Sequence, residues 1–282
     1  MDFLRPSTWE DALALRAERP DALPIAGGTD VMVELNFDRR RPAALLDLTR
    51  VAPLAEWGTD GDVVRLGAGV TYQRVIAELG RALPGLAMAS RTVGSPQIRN
   101  RGTVGGNLGS ASPAGDALPP LLAAGAVVEL ASVRGVRAVP VGAFFQGPKR
   151  SVLAPDELIA AILVPRATGA EQFAKVGTRN AMVIAVCSFA LSLARAGDGW
   201  RVGTGIGSAA PTPVRAPSAE SFLASALPLS GPVPPDVAQR FGALVAAAAA
   251  PIDDIRGTAA YRRHALAVLA RRTLTWAFEE LP

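Results

Sequence analysis

Two glycine pairs constrain this chain more than any other feature: Ala26-Gly27-Gly28-Thr29-Asp30 and Gly102-Thr103-Val104-Gly105-Gly106-Asn107. A Gly-Gly step lets backbone N–H groups approach an anion with no Cβ in the way. The first pair follows the strand-like run Leu23-Pro24-Ile25-Ala26; the second follows Gln97-Ile98-Arg99, a less clear strand. Either pair alone reads as an ordinary turn as readily as a phosphate cradle. Together, each with a hydroxyl or amide neighbour (Thr29, Thr103, Asn107), they could clamp a pyrophosphate. Gly-x-Gly-x-x-Gly and the P-loop lysine are missing, so neither a Rossmann site nor a nucleoside-triphosphate fold fits.

At 282 residues the chain is long enough for two domains. Its apolar runs, such as Met182 to Cys187 and Ala243 to Ala250, fall well short of the ~20 residues of a membrane span. The start, Met1-Asp2-Phe3-Leu4-Arg5-Pro6, lacks the basic segment and apolar run of an export signal, so the expected location is the cytoplasm. One cysteine, Cys187, excludes an internal disulfide and an iron–sulfur cluster held by this chain alone. With His264 the single histidine, a His-rich metal site is equally excluded. Redox chemistry here therefore requires an organic cofactor. The net charge of +4 is spread over arginines and aromatics are scarce, which argues against nucleic-acid binding.

Along the chain, Ser7-Thr8-Trp9-Glu10 reads as a capping box before the helical run Ala12 to Leu15. A strand delivers the first glycine pair, Asp30 to Asn36 reads as a short helix and Ala44 to Leu48 as the next strand. The first fifty residues are thus a small β-α-β unit, with the glycines at a strand-to-helix junction where anions are favoured. Val63 to Leu66 alternates as a strand; Thr71 caps a helix over Tyr72 to Leu79, and another helix covers Leu86 to Arg91. Pro113 to Asp116 starts a helix ended by Gly125, and Ala126 to Leu130 with Val136 to Pro140 form a hairpin. Leu158 to Val164 and Gln172 to Val176 follow, separated by a domain boundary at Ala167 to Ala170. Val183 to Arg195 and Trp200 to Gly207 read as two long strands. Helices near Ser218 to Leu227, Pro234 to Ala250 and Thr258 to Ala277 complete the chain.

Ala26 to Asp30, then Ile98-Arg99-Asn100-Arg101-Gly102-Thr103-Val104-Gly105-Gly106-Asn107-Leu108, then Ala111-Ser112-Pro113-Ala114-Gly115-Asp116 together resemble the FAD-binding medium subunits of molybdenum hydroxylases, the family of the xanthine dehydrogenase and carbon monoxide dehydrogenase flavoproteins. Phe173 to Arg179 and Gly207 to Glu220 extend the resemblance over nearly the whole length. It implies an α+β fold: a two-subdomain α/β FAD-binding domain of PCMH-like type over residues 1–166, with a small subdomain (about 1–50) and a larger mixed-sheet one (51–166). A C-terminal domain over 171–282, with a three-stranded antiparallel sheet and a helical bundle, would follow.

The resemblance also implies roles. Pro24, Ile25, Ala26, Gly27, Gly28, Thr29, Asp30 and Val31, with Thr103, Val104, Gly105, Gly106 and Asn107, would offer N–H and hydroxyl donors to the FAD pyrophosphate. Asp116 would hold a polar part of the cofactor such as a ribose hydroxyl, Val93 would pack near it and Ile159 would add backbone or apolar contact. Lys175 would approach the flavin ring, where a cation at the N1/O2 edge favours the reduced form. Read without the family, Asp116 is a helix N-cap, Arg99 and Asn100 fix a loop, Lys175 is a solvated strand residue and Cys187 a buried small hydrophobe. His264 reads as part of a solvated or subunit-facing helix surface, and Arg39-Arg40-Arg41 as an exposed loop, with docking to an acidic partner as the alternative.

The implied function is electron transfer. A molybdenum-pterin large subunit oxidises the substrate, an iron–sulfur small subunit relays electrons, and noncovalently held FAD in this chain collects them for NAD+ or another acceptor. Two alternatives stay open: a stand-alone FAD-dependent oxidase, dehydrogenase or non-redox cyclase, and a binding module that has lost FAD. Neighbouring genes separate the first two, and a visible spectrum of the purified chain tests the third.

Overall fold

A computed structural model describes residues 1–281. The first lobe holds β1 (Asp2–Leu4), α1 (Trp9–Glu18), β2 (Leu23–Ile25), α2 (Val31–Asn36) and β3 (Ala44–Asp47). Its sheet has the order β1-β3-β2 with both pairings parallel, and β3, buried at all four positions, is its centre. Thr8, not Ser7, caps α1 by accepting from the Asp11 N–H.

The second lobe begins with α3 (Ala52–Ala55), β4 (Trp57–Asp60), β5 (Val63–Gly67) and α4 (Tyr72–Glu78), the last capped by Thr71. Four further helices follow before the chain returns to the sheet: α5 (Pro84–Thr92), α6 (Pro96–Arg101), α7 (Val104–Ser110) and α8 (Leu118–Ala124). The lobe closes with β6 (Val127–Ser132), β7 (Gly135–Pro140), α9 (Val141–Phe144), the small β8 (Phe145–Gly147) and β9 (Arg150–Ser151) ribbon, and β10 (Leu158–Pro165). The five-stranded sheet β4-β5-β10-β6-β7 is antiparallel throughout, not mixed. Its central strand β10 is buried at most positions and bulges between Ile159 and Ala161. One core, running from Ala12 and Leu46 through Leu66 and Leu121 to Phe144 and Ile162, unites both lobes.

The last part comprises β11 (Ala170–Val176), β12 (Cys187–Ala196), β13 (Gly199–Gly207), α10 (Pro217–Ala226), α11 (Pro235–Ala248) and α12 (Ala259–Glu279). Its antiparallel sheet β11-β12-β13 packs under the three helices around Phe189, Ile206, Phe241 and Leu274. Two sequence expectations shift here and in the second lobe. Gln97-Ile98-Arg99 lies in helix α6, because Ser95 caps it and Pro96 starts it, the pairing that pre-sets a helix entry. The strand expected from Val183 begins only at Cys187.

Helix α8 joins the two parts. Leu118 to Ala123 are all buried, as befits a helix covered on every side. It approaches β13 so closely that a Cβ at Gly203 would sit 1.9 Å from the Ala123 carbonyl oxygen. Gly125 ends α8 in the left-handed conformation, φ 71°.

Candidate functional site: a cofactor cleft between the two parts

The two glycine pairs meet in space. A Cβ built on Gly27 would fall 1.9 Å from the Arg101 carbonyl oxygen and 3.0 Å from the Gly102 Cα, so only glycine lets β2's exit lie on the end of α6. Gly28, at φ 76°, then turns the chain into α2. The backbone N–H groups of Gly27, Gly28, Thr29 and Asp30 have no acceptor among the described residues. A run of unspent donors at a turn opening a helix suits a phosphate. Around it, Pro24 and Ile25 pair with Leu46 and Asp47 in the sheet, Ala26 continues from them and Val31 begins α2.

The second pair is used differently. Thr103 caps α7, its Oγ1 accepting from the Gly106 N–H at 2.9 Å. The N–H groups of Val104, Gly105 and Asn107 donate to the carbonyls of Val70, Ala68 and Thr103, each at 3.1 Å. These four N–H groups therefore differ from the expectation that they face a pyrophosphate: the threonine makes this segment a capped helix start and not an open turn. Gly105 presses on Ala68, where a Cβ would lie 2.5 Å from the carbonyl oxygen. What the motif turns toward the cleft is the Asn107 side chain. Replacing Thr103 by Ala is expected to lower stability by about 1 kcal/mol, read as a lower Tm in thermal unfolding followed by circular dichroism; an unchanged Tm would contradict the cap.

Between these motifs and the C-terminal part lies a cavity of about 290 Å³. Asp30, Tyr72, Asn107, Ser112 and Asp116 give it a polar wall, while Val93 and the segment Met182 to Ile184 give it an apolar one. Two buried oxygens, Asn107 Oδ1 and Asp116 Oδ1, have no hydrogen-bond partner. Such atoms are costly unless a ligand or water satisfies them. Gly115 backs the Asn107 amide, since a Cβ there would be 2.7 Å from Oδ1. Burial, with Asp116 and Asp30 adding to it, holds the Tyr72 phenol well above its usual range, so it enters the cavity as a neutral hydroxyl.

Asp116 is not an N-cap; Ala117 occupies that position of α8. Its Oδ2 accepts from Lys175 Nζ at 2.6 Å and from Thr92 Oγ1 at 3.4 Å. Burial pushes its carboxyl above the usual range, with the Lys175 charge pulling against that. Lys175 also donates to the Thr92 carbonyl at 2.9 Å and to the Val183 carbonyl at 3.3 Å. All three ammonium hydrogens thus have partners, and the cation stands behind Asp116 and not on the cavity wall. The lysine is buried, unlike a solvated strand residue, with its side chain only 9 % exposed. Ile159, at the β10 bulge, is buried and is not part of the cavity lining; its Cδ1 would lie 3.8 Å from a Cβ placed on Gly109 of α7.

Sequence reasoning missed Tyr72, Ser112 and the Met182–Ile184 segment as parts of the site. Met182 takes φ 48° and is 56 % exposed, and Ile184 is 53 % exposed. Arg179 Nε fixes this bend by donating to the Ala181 and Met182 carbonyls, both at 3.1 Å. From behind, buried Arg262 donates to the Val186 and Ser208 carbonyls at 2.9 and 2.6 Å. Arg99 holds the neighbouring loop through the Val93 and Gly94 carbonyls, as its loop-fixing reading expects. Cys187 is fully buried, its thiol pushed up to about 12 by desolvation, and is inert.

A donor-rich turn whose Asp30 lines a cavity with orphaned amide and carboxylate oxygens suits a ligand that carries both an anionic group and hydrogen-bond donors. Comparison with known proteins places the chain in a class. Residues 1–167 match the FAD binding domain in molybdopterin dehydrogenase, and residues 172–277 match the CO dehydrogenase flavoprotein C-terminal domain. The chain is 32 % identical to the nicotine 6-hydroxylase medium subunit of Paenarthrobacter nicotinovorans, over 96 % of this chain and 95 % of that one. It is 31 % identical to the carbon monoxide dehydrogenase medium chain of Afipia carboxidovorans, over 97 % and 95 %. A crystal structure of Cu,Mo-CO dehydrogenase in its cyanide-inactivated form superposes with a TM-score of 0.92 at 29 % identity, covering 99 % of this chain and 98 % of that one. The chain belongs to the family of FAD-binding subunits of molybdenum hydroxylases, and is an oxidoreductase flavoprotein subunit.

Proposed function

We propose that this chain holds FAD noncovalently and passes electrons from the iron–sulfur clusters of a small partner subunit to NAD+ or another acceptor, while a large molybdenum-pterin subunit oxidises the organic substrate. The observation that carries this reading is the pair of orphaned buried oxygens, Asn107 Oδ1 and Asp116 Oδ1, in a cavity that Asp30 of the donor-rich first glycine turn also lines. The single cysteine, buried Cys187, leaves the clusters to a partner.

When bound, FAD supplies the ability to take electrons singly and release them in pairs. The chain's own part is placement. The first glycine turn offers its N–H groups to the pyrophosphate, Asp116 and Asn107 accept from hydroxyls or ring N–H groups, and Met182 to Ile184 shield the cavity from water. Thr103 to Asn107 shape the opposite side. Lys175 fixes Asp116, so the pair presents an oriented carboxylate with little net charge. Among the described residues no helix is long and apolar enough to cross a membrane, and the location proposed for the chain is the cytoplasm.

Acid or heat denaturation of the purified chain is expected to release all yellow colour into the supernatant as FAD. The one cysteine and the one histidine that could anchor a flavin covalently lie away from the cleft's glycine turns: Cys187 is buried in the C-terminal core and His264 is exposed on α12. Flavin left on the precipitate, or FMN in place of FAD, would count against the assignment. Copurification of the tagged chain with a large and a small subunit tests the electron-transfer role; full substrate turnover by the chain alone would support the stand-alone alternative instead.

A further inference from the structure

Strand β11 lies along helix α5, and the two elements come from different parts of the protein. Alternate residues of a strand share a face, so Glu171, Phe173 and Lys175 all point the same way. Lys175 meets the last turn of α5 through the Thr92 carbonyl at 2.9 Å. Phe173 packs with Met88 and Ala89 at its middle. Glu171 meets the first turn, its Oε2 accepting from the Gly85 N–H at 3.0 Å. The lengths match: four residues of strand span about 13 Å, and seven residues of helix about 10.5 Å.

Helix α5 has no cap in its own sequence. Its N-cap position is Leu83, which has no side-chain acceptor, and Pro84 begins the helix. Glu171 supplies the missing acceptor from across the junction, seated on the bare Gly85, where a Cβ would be 3.1 Å from Oε2. The far end of the same helix carries Thr92 and Val93, one holding Asp116 and Lys175 and the other lining the flavin cavity.

We propose that Glu171 is a positioning residue for the flavin site, capping α5 from the neighbouring domain and so fixing Thr92 and Val93 at the other end of the helix. This rests on the reading of the cleft as the FAD site. Glu171 itself lines a second cavity, of about 190 Å³, which shares no lining residue with that cleft. There Arg166 on the linker, Arg201 on β13 and Arg215 after it face the cavity, with Thr168 and Ser192 the neutral polar groups; Arg201 is bonded to Thr168 and Arg215 to Glu220. Helix α8 adds no charged group to it, and α5 meets the carboxylate with the Gly85 N–H.

This cap is sensitive to pH near neutrality. Burial pushes the Glu171 carboxyl up to about 7, opposed by the Gly85 hydrogen bond. A carboxyl whose pKa is higher in the folded state contributes stability below its unfolded pKa, and that contribution is lost as pH rises through the folded value. Ionisation strengthens the hydrogen bond from Gly85 but leaves a charge buried, so the net contribution of the clasp falls as pH rises from about 4.5 to about 7. Gln at this position keeps an acceptor for Gly85 and removes the charge.

The test measures the FAD dissociation constant of the full chain, by flavin fluorescence, for wild type, Glu171→Ala and Glu171→Gln across this range. Ala leaves the Gly85 N–H unpaired and is expected to weaken FAD roughly tenfold at neutral pH. Gln is expected to match wild type at the acid end, and to bind FAD more tightly than wild type at the alkaline end with a flat profile. Unchanged FAD affinity in the Ala variant would overturn the proposal, as would a Gln variant that keeps the wild-type pH profile. If the Ala variant does not fold, the Gln profile decides alone. Failure of the wild type itself to bind FAD would instead refute the flavin reading of the cleft.

Discussion

Lys175→Met is expected to be among the most destabilising single substitutions in this chain. The lysine and Asp116 form a 2.6 Å ion pair with both side chains about nine-tenths buried. Removing one member of such a pair leaves the other charge unpaired in a low-dielectric site, a loss of about 3–5 kcal/mol. The Thr92 and Val183 carbonyls lose a donor in the same step. Asp116 then escapes its isolation by taking up a proton, so the loss is larger at alkaline than at acid pH: with the folded pKa raised, ionisation opposes folding as pH rises. Lys175→Met with Asp116→Leu, which removes both charges, should recover most of the stability but not the flavin, because the carboxylate facing the cavity is gone. Thermal unfolding of wild type, both single variants and the double variant, with flavin content measured on the same samples, completes the cycle. A Met variant as stable as wild type would show that the pair contributes nothing.

That pair also marks where the sequence stops being informative. Local signals are legible because their physics is local: Thr71 caps α4 by accepting from the Arg74 N–H three residues on, and Gly125 ends α8 with a left-handed turn. The pairing of Asp116 with Lys175 joins two lobes across α5, and no spacing in the chain announces it. The same holds for Glu171 capping Gly85. Short edge strands were missed for the opposite reason: β1 and β4 have three and four residues, too few for alternation to show.

Two misreadings are more instructive. Ile98 drew Gln97 to Arg99 toward a strand, although Ser95-Pro96 just before it is the chemistry of a helix start. Met182 to Val186 is apolar enough to read as a buried strand, and its first part is exposed cavity wall instead. The run lines a cavity and not a core, and Arg179 and Arg262 bond its carbonyls in the place of a neighbouring strand. Apolar content identifies what a segment avoids, and the element it avoids water against can be a ligand as well as a core.

Gly27→Ala is expected to remove FAD while leaving the C-terminal domain folded. The added Cβ would lie 1.9 Å from the Arg101 carbonyl oxygen and 2.6 Å from its carbon, both backbone atoms. That backbone has little room to yield: the Gly102 N–H donates to the Ile98 carbonyl at 2.6 Å, and the Gly102 carbonyl accepts from the Tyr72 N–H at 3.0 Å. The clash must therefore be relieved by moving the first glycine turn away from α6, which carries its unspent N–H groups out of line with Asn107 and Asp116. Overpacking of this kind costs about 3 kcal/mol, and if it falls on the bound state alone it is about a hundredfold in FAD affinity. Gly28→Ala is the informative neighbour. Its Cβ would be in ordinary contact at 3.4 Å, and its penalty comes from the positive φ of 76°, a cost of about 1 kcal/mol. The two alanines thus separate steric fusion of the turns from backbone freedom within one turn. Released-flavin measurement and FAD titration should rank them wild type, then Gly28→Ala, then Gly27→Ala, with the last nearly colourless. A Gly27→Ala chain that purifies with a full complement of flavin would mean that the contact between the two glycine motifs does not shape the cofactor cleft.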